Sequence, residues 1–222
     1  MKKHLFSIMA AGLILTILIS NIGSVIGNGI AFDRLRQNVM RLHILANSDS
    51  EADQNLKLKV RDAILESGIL SGAANLEEAE EIAENNLQDI ETLAEITIED
   101  YGYTYPVRAS IEDIDFDERE YGDITMPAGE YRALRIEIGD AEGHNWWCVM
   151  YPPLCLPAAS EVKADVQTEN EYFSDKELDI MKKPEKYKLK FAVWEKIKKL
   201  ISKKSDKKND KTVHDDKNTQ NS

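Results

Sequence analysis

The chain has 222 residues, of which 28 are lysine or arginine and 40 are aspartate or glutamate, so its formal net charge at pH 7 is -12. This acidity excludes a basic nucleic-acid-binding protein, and two cysteines are too few for a small domain held together by disulfides. A hydrophobic content of 42% also excludes a protein that crosses the membrane many times.

The amino-terminal segment has the pattern of an export signal. Lys2 and Lys3 precede a stretch, residues 5–32, that has no ionisable side chain. Its densest apolar part is about 15 residues long, which fits a signal peptide better than a membrane span of about 20 residues. The small-residue cleavage sites are imperfect, so removal and retention as an anchor both stay open. We expect residues 1–31 to be a signal peptide or membrane anchor that places the rest of the chain outside the cytoplasmic membrane.

The exported body, residues 32–181, begins with a strand, a turn and a helix. Apolar and polar residues alternate from residue 39 to residue 46, with Arg41 and His43 on the polar side, which predicts a half-buried β-strand. The following Asn-Ser-Asp-Ser turns the chain, and Ser50 with Asp53, or Ser48 with Glu51, has the spacing of a helix cap. Apolar residues then recur at helical spacing until Gly68 ends the helix.

A second helix is predicted from Asn75 to Leu93 or Ala94, and Asn75 with Glu78 has the spacing of a helix cap. Its apolar stripe is opposed by a row of carboxylates at Glu77, Glu78, Glu80, Glu81, Glu84, Asp89, Glu91 and Glu95. A solvated helix face explains this row, and a docking face for a basic partner is the alternative.

Three further strands are predicted in the second half of the body. They cover residues 103–111, residues 134–138 and residues 145–151, and an acidic, turn-rich stretch beginning at Asp113 is expected to interrupt the sheet between the first two. The order β-α-α-β-β-β predicts an α+β fold, a two-layer sandwich in which a small β-sheet carries two helices on one face.

The last predicted strand contains the unusual sequence Trp-Trp-Cys. Trp146 and Trp147 point to opposite faces of a strand, so at most one lies on the core side, and the other covers the second face or contacts a partner. Cys148 and Cys155 are the only cysteines of a chain that is predicted to be exported. We predict that they form a disulfide, with two buried thiols or a reactive or metal-binding pair as the alternatives.

The sequence contains no motif for catalysis, metal binding or cofactor binding. His-Glu-x-x-His, Gly-x-Ser-x-Gly, a phosphate loop, Gly-x-Gly-x-x-Gly and Cys-x-x-Cys are all absent. A dyad of His43 with Cys148, or of His43 with Ser48 or Ser50, would combine only common residues. We therefore predict a protein that is not an enzyme and has no cofactor, with an envelope or cell-wall hydrolase as the alternative.

The carboxyl-terminal end is basic, whereas the body is acidic. Up to Met181 the chain has 14 basic and 34 acidic residues, and from Lys182 it has 14 lysines and 6 acidic residues. Residues 182–201 have the pattern of a basic amphipathic helix, and the Lys-rich residues 202–222 are predicted to be disordered. The helix can dock on the acidic body or lie on an anionic membrane surface, where the candidate contacts are Lys190, Trp194, Lys198 and Lys199.

Two blocks of the sequence resemble one protein family. Residues 41–63 read Arg-Leu-His-Ile-Leu-Ala-Asn-Ser-Asp-Ser-Glu-Ala-Asp-Gln-Asn-Leu-Lys-Leu-Lys-Val-Arg-Asp-Ala, and residues 145–155 read Asn-Trp-Trp-Cys-Val-Met-Tyr-Pro-Pro-Leu-Cys. Both blocks are similar to the stage II sporulation protein R family of endospore-forming bacteria. The resemblance covers about residues 39–191 and does not extend to the far tail.

The resemblance implies a signalling role between two cells. A protein of this family is made in the forespore, is exported into the space between the forespore and mother-cell membranes, and activates a membrane-embedded aspartic protease of the mother cell. That protease then processes the precursor of the early mother-cell sigma factor. The resemblance identifies no catalytic residue. Candidate partner-binding or fold-defining residues are Arg41, His43, Asn47, Ser48, Asp49, Asp53, Lys57, Lys59, Arg61, Asp62, Asn145, Trp146, Trp147, Pro152 and Pro153.

Overall fold

The computed structural model describes Met9, Thr16 and residues 23–121, 123–153 and 172–199. Most of the predicted leader, the predicted disordered tail and Cys155 lie outside these residues. The chain divides into two compact units, residues 33–182 on the one hand and the two terminal segments on the other. Within the described ranges, no helix combines the length and the apolar character needed to cross a membrane.

Helices and strands alternate in blocks along the chain. A helix over residues 23–37 (α1) comes first. The strands are β1 (Met40–Leu45), β2 (Val107–Phe116), β3 (Arg119–Tyr121), β4 (Ile124–Met126), β5 (Gly129–Ile138) and β6 (Asn145–Tyr151). The helices of the larger unit are α2 (Glu51–Ser67), α3 (Leu76–Asn85), α4 (Leu87–Asp100) and α5 (Asp175–Lys182), and a helix over residues 188–199 (α6) follows a 3₁₀ turn at Pro184–Lys186.

Four strands form one sheet in the order β2-β5-β1-β6, and β3 pairs with β4 in a separate hairpin. β1 runs parallel to β5 and antiparallel to β6, while β2 is antiparallel to β5. Parallel strands need a long crossover connection, and the segment between β1 and β5 contains α2, α3 and α4. These observations confirm the predicted α+β class.

One face of the sheet packs against helices. Alternate residues of β1 and β5 point to this face, and residues three or four apart on α2 and α4 meet them. The buried residues of this core include Leu42, Ile44, Leu134, Ile136, Leu56, Val60, Ile64, Ile90, Ala94 and Ile98. Burial of these apolar side chains is the main contribution to the stability of the unit.

The other face of the sheet is also buried, so the prediction of a half-buried first strand is wrong. Arg41 is 0% exposed and His43 is 5% exposed. The β3–β4 hairpin covers these side chains, with Ile124 and Met126 fully buried, and α5 packs against β4. β1 is therefore a central strand with covered faces, although its sequence alternates like that of a surface strand.

The predicted second helix is divided in two at Asn86. Asn75 caps α3 as expected, because its Oδ1 accepts a hydrogen bond of 2.9 Å from the Glu78 N–H. At the break, the Asn86 Nδ2 donates to the Ile82 carbonyl at 2.7 Å, and Asn86 lies between α3 and α4. The apolar stripe keeps its helical spacing across this break, so the hydrophobic pattern does not reveal it.

The acidic stretch that was expected to interrupt the sheet instead contains regular structure. β2 continues to Phe116, and the β3–β4 hairpin follows. Ile114 and Phe116 alternate with Asp113 and Asp115, so the period of a strand persists beneath the charge. The helix α5 was not predicted either.

The described parts of the terminal segments form a small helical unit of their own. The Phe32 ring lies 4.7 Å from the Phe191 ring and 6.3 Å from the Tyr187 ring, measured between centroids. The predicted amphipathic helix is present as α6, and its Leu189 side chain is exposed. Aromatic packing between α1 and the start of α6 therefore holds this unit together.

Candidate functional site at the junction of the two sequence blocks

The two sequence blocks that contain the candidate residues lie side by side in the fold. β1 from the first block pairs with β6 from the second, which places His43 opposite Trp147 and Leu45 opposite Asn145. The turn after β1 therefore lies beside the loop that precedes β6. We use the name "junction" for the turn of residues 46–50, the loop of residues 139–144 and the first two turns of α2.

Asp53 is the centre of the hydrogen bonds at the junction. Its carboxylate accepts hydrogen bonds from Asn47 Nδ2 at 3.0 Å and from Ser48 Oγ at 2.5 Å, and its backbone N–H donates to Ser50 Oγ at 3.1 Å. Burial acts to raise the pKa of Asp53, but hydrogen bonds from Ser48, Asn47 and Tyr105 outweigh it and hold the pKa below its usual value. The charged carboxylate thus stabilises both the turn and the start of α2.

Asn47 links the turn to the opposite loop. Its Oδ1 accepts a hydrogen bond of 3.0 Å from the Asp140 N–H. Gly139 has φ +60, and a Cβ there would lie 2.2 Å from Asn47 Oδ1. A Cβ at Gly143 would lie 2.2 Å from the Ser48 carbonyl oxygen. A Cβ at either position would force neighbouring atoms to move, so glycine permits the close approach of the loop to the turn.

A buried lysine holds the end of the same loop. Lys57 Nζ donates to the His144 carbonyl at 2.7 Å and to Gln54 Oε1 at 2.6 Å, and burial lowers the pKa of Lys57. The His144 N–H in turn donates to Asp49 Oδ1 at 2.6 Å, and the His144 ring contacts the same oxygen. The side chains of His144 and Asp49 are 79% and 56% exposed. A buried polar frame therefore presents an exposed carboxylate–imidazole pair.

Arg61 connects α2 to β6 at a position one turn of α2 beyond the junction. Its guanidinium carbon lies 4.1 Å from the centroid of the Trp146 ring, and its Nη2 lies 2.6 Å from the Asp62 carboxylate. A guanidinium stacked on an indole is a stabilising contact that also fixes the orientation of both groups. Lys59, on the same helix, is exposed.

Arg41 lies in an aromatic environment on the opposite face of the sheet. Its guanidinium carbon is 4.2 Å from the Phe116 ring centroid and 5.0 Å from that of Tyr131, and its Nη2 donates to the Tyr121 hydroxyl. The Tyr121 hydroxyl donates to the Trp147 carbonyl at 3.2 Å. Burial lowers the pKa of Arg41. These contacts attach the β3–β4 hairpin to the sheet.

His43 lies in the same aromatic environment as Arg41. Its ring lies 5.4 Å from the Trp147 ring and 5.8 Å from the Phe116 ring. Burial, reinforced by the nearby positive charge of Arg135, lowers the pKa of His43 to about 4. His43 is therefore neutral at pH 7 and packs as an aromatic side chain.

The structure does not bring together the catalytic dyads considered above, His43 with Cys148 and His43 with Ser48 or Ser50. Cys148 belongs to the helix-side core opposite Leu42, whereas the His43 ring lies on the other face among aromatic residues. Ser48 and Ser50 form hydrogen bonds with Asp53. In the part of the chain that the structure describes, no group of three or more histidine, cysteine, aspartate or glutamate side chains is placed to hold a metal ion.

The remaining candidates have different environments. Asn145 and Pro153 are exposed, and Pro152 is buried after a cis peptide bond from Tyr151. Cys155 lies outside the described residues, so the disulfide stays a prediction. On α6, Lys190 Nζ is 5.5 Å from the Tyr187 ring, Trp194 is half-buried, and Lys198 and Lys199 are exposed.

Several residues that build the site were not identified from the sequence. Gly139 and Gly143 are not among the predicted site residues, although two glycines four positions apart before a strand were the available signal. Tyr121 and Phe116 carry no local signal, because their role depends on the distant Arg41. Sequence reasoning thus found both partners of the Arg61–Trp146 contact, but only Asn47 of its contact with Gly139 and only Arg41 of its contact with Tyr121.

Comparison with known proteins gives one family. The family model described as "Stage II sporulation protein R" matches residues 36–161. The curated protein named Stage II sporulation protein R of Bacillus subtilis (strain 168) is 37% identical over 142 residues, which cover 63% of this chain and 63% of the relative. The matched region thus spans less than two thirds of that relative's length. No solved structure matches the chain.

Proposed function

Since this chain belongs to the stage II sporulation protein R family, we propose that it is a sporulation signalling protein that acts as a protein ligand without catalysing a reaction. In this proposal it is exported from the forespore into the space between the two membranes. There it activates a membrane-embedded aspartic protease of the mother cell, which processes the precursor of the early mother-cell sigma factor. The sequence similarity and the predicted export signal support this role.

The observation that carries the proposal is the arrangement of the junction. Asp53 and Lys57 are buried and hydrogen-bonded, and they hold the exposed Asp49 and His144 in one geometry. A surface that is ordered before binding loses little conformational entropy when a partner docks. The junction is therefore suited to recognise a protein, and it offers the exposed side chains of Asp49 and His144, next to the exposed Asn145 at the start of β6.

The test is reconstitution in a host that does not sporulate. The exported protein, the protease and the sigma factor precursor are expressed together, and precursor cleavage is followed by immunoblotting. We expect cleavage only when the exported protein is present. Cleavage to the same extent in its absence would refute the proposal.

Matched variants separate recognition from folding. Asp49→Asn removes an exposed charge at the junction, and Glu66→Gln removes an exposed charge at the other end of α2. We expect Asp49→Asn to reduce precursor cleavage and Glu66→Gln to leave it unchanged, while both retain a cooperative unfolding transition. Equal cleavage with the two variants would exclude the junction as the recognition surface.

The same system tests the hydrolase alternative. A ligand predicts that Ser48→Ala acts only through folding or binding, because Ser48 Oγ donates to the Asp53 carboxylate. A hydrolase predicts that the purified protein releases cell-wall fragments and that Ser48→Ala abolishes this release without changing the unfolding transition. That second result would overturn the proposal of a protein ligand.

A further inference from the structure

β2 is an edge strand, and the start of its free edge is closed by side chains of α4. β2 lies at the end of the four-stranded sheet, with β5 as its neighbour. The Val107 N–H donates to Glu95 Oε1 at 3.2 Å, and the Ala109 N–H donates to Glu91 Oε1 at 2.8 Å. Two helix carboxylates thus occupy the first two outward amides of the strand, which prevents another strand from pairing there.

The second half of the same edge is open. In an antiparallel pair, the amides that point away from the neighbouring strand recur at every second residue. Because the amides of Val107 and Ala109 point away from β5, those of Ile111, Asp113 and Asp115 do so as well. Among the described residues, none accepts a hydrogen bond from these three amides. They can therefore pair with the backbone of an added strand.

The negative charge of the open half of the β2 edge restricts which kind of strand can pair with it. The Glu112 and Asp113 side chains are 46% and 61% exposed, and Asp115 and Asp117 are exposed as well. A second copy of this edge would bring like charges together, which opposes self-association. A strand that carries lysine or arginine would instead gain cross-strand ion pairs.

We propose that the open half of the β2 edge, residues 111–115, is a strand-addition site for a basic, extended segment of the partner protease. The inference rests on the proposed function, which supplies the partner. Backbone hydrogen bonds give the affinity in this mode of binding, and the acidic side chains select a basic strand. β2 and β6 are opposite edges of the sheet, so this contact is separate from the junction beside β6.

The direct test uses a six-residue peptide of alternating lysine and valine as the probe. Amide hydrogen exchange of the full chain is measured by NMR with and without the peptide. We expect exchange at Ile111 and Asp113 to slow by about tenfold or more at saturation, since each gains a backbone hydrogen bond. Exchange at Val107 and Ala109 should not change, and a peptide of alternating glutamate and valine should protect none of these amides.

Two proline variants separate the open half from the closed half. Ile111→Pro removes an open amide, and Val107→Pro removes an amide that already donates to Glu95. Neither removes a hydrogen bond to β5, and proline is tolerated on a sheet edge. We expect Ile111→Pro to weaken peptide binding by about tenfold and Val107→Pro to leave it within about twofold.

A charge variant keeps the inference testable if the proline variants do not fold. The double variant Asp113→Lys with Asp115→Lys reverses the charge of the edge, and Glu77→Lys with Glu81→Lys makes the same change on the exposed face of α3. The edge variant should lose binding of the basic peptide by about tenfold or more, and the α3 variant should bind nearly as well as the unchanged chain. Equal binding by the two would overturn the inference.

Three further results would also overturn it. The first is peptide binding without protection of the Ile111 and Asp113 amides, and the second is pairing of this edge with a second copy in sedimentation experiments. The third is normal precursor cleavage with the edge variant in a host where cleavage depends on the exported protein. Cleavage that never depends on the exported protein refutes the proposed function instead, and the peptide measurements then stand by themselves.

Discussion

Arg41 occupies a position where an alternating strand pattern predicts a surface residue. The side chain is instead fully buried, and its Nε and Nη1 atoms have no hydrogen-bond partner among the described residues. Removing a guanidinium from water is costly, and contacts with the Phe116 and Tyr131 rings and with the Tyr121 hydroxyl offset part of that cost. The buried charge is thus tolerated because of neighbours that are distant in sequence.

Two substitutions separate the volume of Arg41 from its charge. Arg41→Ala leaves a cavity among aromatic rings, and we expect it to lower the free energy of unfolding by about 3 kcal/mol or more. Arg41→Met keeps most of the volume and removes the buried charge, so its effect should be much smaller. Urea denaturation measures both values. Equal losses in the two variants would show that the charge, not the packing, dominates.

His43 makes the stability of the protein depend on pH. Its pKa is about 4 in the folded protein, because of burial and the charge of Arg135, and about 6.5 in the unfolded chain. The unfolded state therefore binds a proton first, and stability is lost as the pH falls from about 6.5 to about 4. We expect the loss due to His43 to reach about 3 kcal/mol at pH 4.

The measurement compares unfolding free energies of the unchanged chain and of His43→Gln across this pH range. Because glutamine does not titrate, the difference between the two curves should shrink as the pH falls from 6.5 to 4. Aspartate residues such as Asp53 contribute equally to both curves and cancel in the difference. A constant difference would mean that His43 is not the titrating group.

At the scale of secondary-structure elements, the sequence predicts where helices start better than it predicts which strands they contact. The cap at Asn75 is as expected, and the cap at Ser50 is one of the two that the sequence allows, since each depends on residues three positions apart. The acidic row of the second predicted helix is partly used inside the fold: Glu80 and Glu84 contact Arg132, while Glu91 and Glu95 close the edge of β2. Those roles depend on strands that follow later in the chain.

The contact between α1 and α6 in the terminal unit depends on a glycine. A Cβ at Gly29 would lie 2.0 Å from Cδ2 of Trp194, whereas one at Gly27 would have no atom within 4 Å. We expect Gly29→Ala to weaken this helix pair by about 1–3 kcal/mol, because the indole must move. Gly27→Ala is the control, and it should be neutral or stabilise α1 by up to about 1 kcal/mol. Faster trypsin cleavage at the α6 lysines in Gly29→Ala alone is the expected result, and equal rates would contradict it.

The disulfide predicted between Cys148 of β6 and Cys155 can be tested directly. Cys148 is buried in the helix-side core, so its sulfur has a defined position for a bridge to Cys155. Reduction of the exported protein should raise its mass by about 2 Da, and Cys155→Ser should lower the free energy of unfolding by about 2–3 kcal/mol. Two cysteines that are fully alkylated without reductant would contradict the prediction.

For the whole molecule, the net charge of -12 is the sum of an acidic body and a basic tail. The described tail helix α6 combines exposed lysines with exposed Leu189 and Val193. A helix with both features is suited to an anionic lipid surface, and each lysine near such a surface contributes about 1 kcal/mol. A membrane surface is therefore our proposal for a second partner of the protein.

Vesicle co-sedimentation tests this second partner. We expect more protein to sediment with phosphatidylglycerol vesicles than with phosphatidylcholine vesicles, and the excess to disappear at high salt. The combined variant Lys190→Glu, Lys198→Glu and Lys199→Glu should lose the excess. Arg108→Glu, at an exposed position of β2, should keep most of it. No excess in the unchanged chain at low salt would remove the membrane proposal.

The sequence by itself determined the elements whose physics is local. The period of apolar residues gave β1, β6 and the course of α2, and short-range hydrogen bonds placed the caps. The first sequence block also contained most of the residues of the junction. Hydrophobic period and capping depend on residues a few positions apart, so they can be read directly from the chain.

Only the tertiary structure decided which of these residues are buried and which are presented to a partner. Arg41 donates to Tyr121, which is 80 positions away, and Asp49 accepts from His144, which is 95 positions away. Strand order, the cover over the second face and the open edge of β2 depend on such distant pairs. Their free energy comes from contacts that exist only once the chain has folded, so no local pattern records them.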